Sequence, residues 1–286
     1  MVEARLHDGT TIEVEVLGHG PAVLMPVNPI PATGDKAEEL SAWGVDPALG
    51  RTDPALGRTF VEALASNFTV VAFDYEGHRM ASPAPDTLTP DKIASDLLAV
   101  ANAAGIDHFA YYGYSWLAVC GLQLALRTHR LTALVMGGFP PVDGPYKAML
   151  QVTEATHRMA SEPPQSSLQS TASPDEFDWN SIDIALTEAQ TRQFVTLYRA
   201  LGEFDDRTIQ ERILCPRMCF VGSQDVIEYG DRWGGARVAP ADLDLDAVRS
   251  AGWDIEVLDG LDHTQAMQPA HVLPILKPWL EKVVGV

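Results

Sequence analysis

Basic residues are scarce in this chain. Twenty Lys and Arg stand against 39 Asp and Glu, for a formal charge of −19 at pH 7. Binding to nucleic acid needs clustered Lys and Arg to neutralise phosphates, so the balance argues against that partner. The acidic surplus does not name a cationic substrate either, because it more commonly just keeps a protein soluble. Cysteine is sparse too. Cys120, Cys215 and Cys219 are an odd set without paired spacing, which suits reduced structural thiols in a cytosolic protein. There is no CxxC pair, no HExxH and no GxxxxGK[ST]. The run Gly18-His19-Gly20 comes before a strand rather than after one, so it is no dinucleotide loop. The opening residues, Met1-Val2-Glu3-Ala4-Arg5, hold no apolar signal core, and the expected location is cytoplasmic. Residues 109–126 form a charge-free run approaching a membrane span. Gly113, Ser115, Gly121 and Gln123 interrupt it, and it reads better as strand, turn and buried helix.

What is present suits a core of ordinary size. With 286 residues and 46% hydrophobic content, a single α/β domain carrying an insertion fits best. Residues 4–6 and 11–16 flank Asp8-Gly9 as a hairpin, with Ile12, Val14 and Val16 alternating against Glu13 and Glu15. Unbroken apolar runs at 22–25, 70–73, 109–112 and 131–136 suit parallel strands covered on both faces. A helix is expected over 90–104, with Thr89 as N-cap, Pro90 at its first position and Gly105 as its stop. Its buried stripe is Ile93, Leu97, Val100 and Ala104. Strands alternating with helices imply a mostly parallel sheet flanked by helices.

Two stretches depart from that pattern. Asp-Pro-Ala-Leu-Gly-Arg-Thr occurs twice in tandem over 46–59, each copy able to start a helix through Asp as N-cap and Pro at N1. From about 146 to 206 the chain becomes more polar. Residues 161–175 are rich in Pro, Ser and Gln and read as mobile, and a helix over 188–201 with Thr187 as cap follows. The expected organisation is a core of residues 1–145 and 207–286, with 146–206 inserted as a helical cap.

The residues that carry chemistry sit at strand ends. Gly113-Tyr114-Ser115-Trp116-Leu117 follows one apolar strand and opens a helical run, as a nucleophile elbow does. The usual G-x-S-x-G pattern is broken at Leu117. A second strand, 218–221, ends in Gly222-Ser223-Gln224-Asp225, and a third, 255–258, ends in Asp259-Gly260-Leu261-Asp262-His263. Ser, Asp and His in that chain order, each past a strand's carboxyl end, resemble the α/β-hydrolase family over roughly residues 5–283.

That resemblance implies a serine hydrolase acting on an ester, lactone or thioester of a small molecule, without metal or organic cofactor. Ser115 would be the nucleophile, His263 the base and Asp225 the acid that orients it. Asp262 adjoins His263 and is poorly placed for that bond, and Glu228 is a weaker substitute. The oxyanion hole would take one backbone N–H from Trp116 and one from the loop after residues 22–25. There the family's His-Gly is replaced by Pro26-Val27, so the second donor aligns with Asn28, with Val27 as the alternative. Asn28 and Trp116 also resemble the halide-holding pair of haloalkane dehalogenases. Those enzymes need an aspartate nucleophile, since serine would form an ether that their chemistry cannot open. The run 74–82 resembles the family's D-x-R-G-x-G-x-S turn, departs from it at Glu76 and Arg79, and is expected to be structural. Leu117 and Pro26-Val27 keep two rivals open: a ligand-binding protein without turnover, and a lyase, acyltransferase or cyclase on the same scaffold.

Overall fold

The computed structural model describes residues 1–35, 37–38, 53–161, 186–228, 235–237 and 243–285. Strands β1 (Val2–Arg5) and β2 (Thr11–Gly18) form the expected hairpin, and Ile12 and Val14 are buried. Val16 was expected to join them but is 38% exposed, because the face it shares with Val14 is no longer covered at that end of β2. After β3 (Ala22–Met25) comes α1 (Leu56–Leu64). The first tandem copy, 46–52, lies outside the described residues. In the second copy Asp53 does not act as the expected N-cap: the helix starts at Leu56, with Ala55 as its cap residue. Asp53 instead closes the preceding turn, accepting from Ala55 N at 2.7 Å and Thr59 Oγ1 at 2.6 Å.

The chain continues through β4 (Thr69–Ala72), α2 (Tyr75–Ala81) and α3 (Pro90–Ala103). Thr89 caps α3 and Pro90 begins it, as the sequence implies. Next come β5 (Phe109–Tyr114), α4 (Trp116–Ala125) and β6 (Leu131–Gly137). The charge-free run is thus strand, turn and helix, and no described helix is long and apolar enough to cross a membrane. Two helices follow, α5 (Tyr146–Ser161) and α6 (Glu188–Ala200). Residues 162–175 of the polar stretch lie outside the described set. The remainder is β7 (Arg217–Gly222), a small hairpin of β8 (Val226–Glu228) and β9 (Gly235–Arg237), α7 (Leu245–Ser250), β10 (Asp254–Leu258), α8 (His263–Ala266) and α9 (Pro269–Val284).

Eight strands make one sheet in the order β1-β2-β4-β3-β5-β6-β7-β10, parallel from β4 onward, with β1 and β2 antiparallel at one edge. Alternate residues of each central strand enter different cores. Leu24, Val71 and Tyr111 pack with α3 and α4, while Val23, Val70 and Tyr112 pack with α1 and α9. That two-sided burial is why the strands read as unbroken apolar runs. Cys120 and Cys219 are buried, Cys215 is half-buried and all three are free; burial pushes the Cys219 thiol up to about 12.

Helix α6 is fastened to α2 and the connection after it by side chains that reach their backbone. Gln193, fully buried, donates to Arg79 O at 3.0 Å and accepts from Ala84 N at 3.2 Å. Gln190 donates to Met80 O at 2.7 Å and Thr196 to Pro85 O at 2.6 Å. Helix α5 rests on α6 through His157–Thr191 at 3.0 Å and Arg199–Glu154 at 2.8 Å.

The broken elbow pattern is absorbed where β5 meets α4. The Leu117 carbonyl, not its side chain, faces the strand and accepts from the buried Tyr111 hydroxyl at 2.9 Å. Its side chain joins the core between α3 and α4. Closeness falls instead on Gly113, where an added Cβ would lie 2.3 Å from Leu117 O. Gly113→Ala should therefore lose about 2–3 kcal/mol of stability in urea unfolding, as overpacking against backbone does. Wild-type stability in that variant would show that α4 can slide away.

Candidate active site

Ser115 links β5 to α4 with φ 55° and ψ −127°, in a region L-residues seldom occupy. Its N–H donates to Gly137 O at 2.8 Å, fastening the turn to the neighbouring strand. The half-buried Ser115 hydroxyl makes no hydrogen bond among the described residues. The same turn leaves the Trp116 N–H, first of α4, without a backbone acceptor there.

Strand β3 is hydrogen-bonded directly to β5, so the loop after it lies beside this turn. Val27 N–H donates to Met25 O at 2.8 Å and is thereby committed. Asn28 is exposed, its side-chain oxygen accepts from Ile30 N at 2.9 Å, and its own N–H meets no acceptor among the described residues. Of the two donors the sequence left open, only Asn28 keeps a free N–H.

Asp225 follows β7 and His263 begins α8 after β10, and these strands are parallel neighbours. Asp225 Oδ1 lies 2.9 Å from His263 Nδ1. The carboxyl is fully buried and the imidazole partly exposed. Asp225 Oδ2 is buried without a hydrogen-bond partner among the described residues. Asp262 is the N-cap of α8 in a reciprocal pair with Gln265, which explains an acid next to the histidine. The Glu228 side chain lies outside the described set.

Sequence reasoning missed two contacts. Tyr114, just before Ser115, donates its hydroxyl to His263 O at 2.7 Å and packs its ring at a tilt against the imidazole, with ring centroids 5.0 Å apart. Gly138 leaves room for that imidazole, since a Cβ there would lie 2.9 Å from His263 Cε1. The second contact joins α2 to the elbow. Trp116 Nε1 donates to Glu76 Oε2 at 3.0 Å, and the indole meets Phe194 of α6 edge-on at 5.3 Å. The signal for Glu76 was its departure from the turn pattern. His78, by contrast, sits at 2.9 Å from Thr10 Oγ1, in keeping with the structural part expected of that turn. Among the described residues, no group of three His, Cys, Asp or Glu is placed to hold a metal ion.

These strand ends carry an unpartnered hydroxyl, an imidazole–carboxylate pair and two free backbone N–H groups. Such a set can activate a nucleophile and stabilise a developing oxyanion.

No protein-family model matches the chain. It is 35% identical over 72 residues to a provisionally named carbamate hydrolase, RutD, of Rhizobium rhizogenes strain K84, and 38% identical over 76 residues to the RutD of Klebsiella pneumoniae strain 342. Those stretches are 25% and 26% of this chain and 28% and 29% of the relatives, so it spans less than a third of the curated proteins it matches. Solved structures resemble it over nearly its whole length. A thermophilic esterase from Thermogutta terrifontis, bound to malate, has a TM-score of 0.60 and 19% identity, covering 99% of this chain and 98% of its own. The enol-lactonase of Burkholderia xenovorans LB400 has a TM-score of 0.60 and 16% identity, covering 99% and 100%.

Tyr114→Phe removes the donor to the His263 carbonyl while keeping the ring. It should lower stability by about 1 kcal/mol, the usual value of a part-buried hydrogen bond. Thermal unfolding reads this, and an unchanged midpoint would mean that water replaces the phenol.

Proposed function

This chain has the α/β-hydrolase fold, and on that premise we propose that it is a serine hydrolase cleaving an ester, lactone or thioester bond of a small molecule. Ser115 attacks the acyl carbonyl while His263 takes its proton through Nε2. Asp225, bound to Nδ1, holds the tautomer that leaves Nε2 free to accept and stabilises the imidazolium that forms. The tetrahedral oxyanion takes hydrogen bonds from the N–H groups of Trp116 and Asn28, with the N-terminus of α4 behind it. His263 then protonates the leaving group. Water, activated by the same imidazole, releases the acyl group and restores Ser115. No step calls for a metal or organic cofactor. Residues 146–206 act as a cap, with α6 closing over the strand ends and keeping water from the intermediate.

The observation that carries this reading is the 2.9 Å His263–Asp225 contact at the carboxyl ends of the strands, the same end at which Ser115 holds its strained turn. The esterase and lactonase neighbours support the bond class, and the RutD relatives add carbamates to it.

A fluorophosphonate probe should label wild type at Ser115, and Ser115→Ala should abolish labelling. Asp225→Asn should slow it by about 10³–10⁴-fold, as expected when the histidine loses its orienting acid. Ester, lactone, thioester and carbamate panels run in ¹⁸O water would then separate hydrolysis from acyl transfer, cyclisation or elimination. Absence of labelling in folded wild type would sink the hydrolase reading in favour of a ligand-binding protein.

A further inference from the structure

Glu76 stands in an unusual position for a carboxylate. It lies in the first turn of α2, and Oε2 accepts from the indole N–H of Trp116, the residue after the nucleophile. Its side chain is exposed to solvent, and desolvation by the neighbouring protein raises its pKa above the usual glutamate value. The other charge acting on it is Asp74, also an acid, and no Lys, Arg or His forms an ion pair with it among the described residues.

An uncompensated carboxylate beside an oxyanion hole opposes the negative charge that develops there. Such an arrangement suits a substrate that brings its own positive charge, which turns the opposing field into binding energy. The surroundings fit an organic cation. Trp116 and Phe194 are half-buried aromatic rings meeting edge to face beside the carboxylate, and no Arg or Lys of the described protein covers either ring. Aromatic faces joined to an acid are what recognise substituted ammonium groups.

We propose that Glu76, with Trp116 and Phe194, is the specificity-determining subsite of this enzyme, and that it selects substrates carrying an ammonium group over neutral and anionic ones. The proposal rests on the serine hydrolase reading and narrows its substrate class.

The test uses three fluorophosphonates differing only at the end of one alkyl arm: trimethylammonium, its neutral isostere tert-butyl, and sulfonate. Second-order labelling rates at Ser115 are measured on wild type and Glu76→Gln, since Gln keeps an oxygen for the Trp116 bond. Wild type should label fastest with the cationic probe, about tenfold over the tert-butyl probe, the scale of one charge contact near a protein surface. Sulfonate should be slowest. In Glu76→Gln that ordering should collapse toward unity, with the tert-butyl rate preserved or raised. Equal wild-type rates for all three probes would overturn the subsite. So would a Glu76→Gln protein whose rates fall together with their ratios intact, which would make Glu76 a positioning residue for Trp116. Labelling by none of the three is the separate failure that removes the hydrolase reading itself. Wild-type ratios decide the matter even if the variant does not fold.

Discussion

The close approach of α4 to β5 is the constraint on which the site depends. It forces Ser115 to φ 55°, a conformation that costs about 1–3 kcal/mol for a residue with a Cβ and persists only when its surroundings over-determine it. Here they do. Ser115 N–H is held by Gly137 O, the Leu117 carbonyl is held by Tyr111, and the whole of α4 beyond Trp116 is buried. Gly113 has no side chain to push the helix away. Because that turn is fixed, the serine hydroxyl and the Trp116 N–H, both without partners among the described residues, are held next to each other, and a flexible loop could not keep them in register.

The elbow also organises residues far from it in sequence. Tyr114 reaches across β6 and β7 to hold the backbone and ring of His263, and Trp116 reaches to α2 and α6. Adjacent positions on either side of Ser115 thus brace the imidazole and α6. The fastening of α6 by Gln190, Gln193 and Thr196 fits the same scheme, since these polar side chains satisfy carbonyls left open in the last turn of α2 and in the connection after it.

A second row of hydroxyl, imidazole and carboxylate shows how little such a row means alone. Thr87 Oγ1 lies 3.0 Å from His7 Nε2, and His7 Nδ1 lies 2.8 Å from the buried Asp96. Thr87 is not on an elbow, and the N–H groups of Thr87 and Leu88 both donate to Ala84 O. Nothing there could receive an oxyanion, and Tyr75 shares the carboxylate. That row ties the N-terminal hairpin to α3. Backbone donors left free by a strained turn, rather than three side chains in line, separate the two places.

Much of this was written in the sequence, because it depends on local chemistry. Apolar runs buried on both faces marked the parallel strands, Thr89 with Pro90 and Thr187 marked helix starts, and the order of Ser115, Asp225 and His263 marked the candidate triad. What the sequence left open are questions of contact between distant segments. Asn28 is separated from Val27 as a free donor only because Val27 N–H turns back to Met25. Leu117 is harmless only because its carbonyl, and not its side chain, faces Gly113. Glu76 looked like a lapse in a structural turn until folding set it beside Trp116. Periodicity and capping act over a few residues and are legible along the chain, whereas the partner of a carboxylate or an N–H is fixed by packing between segments that sequence spacing does not relate.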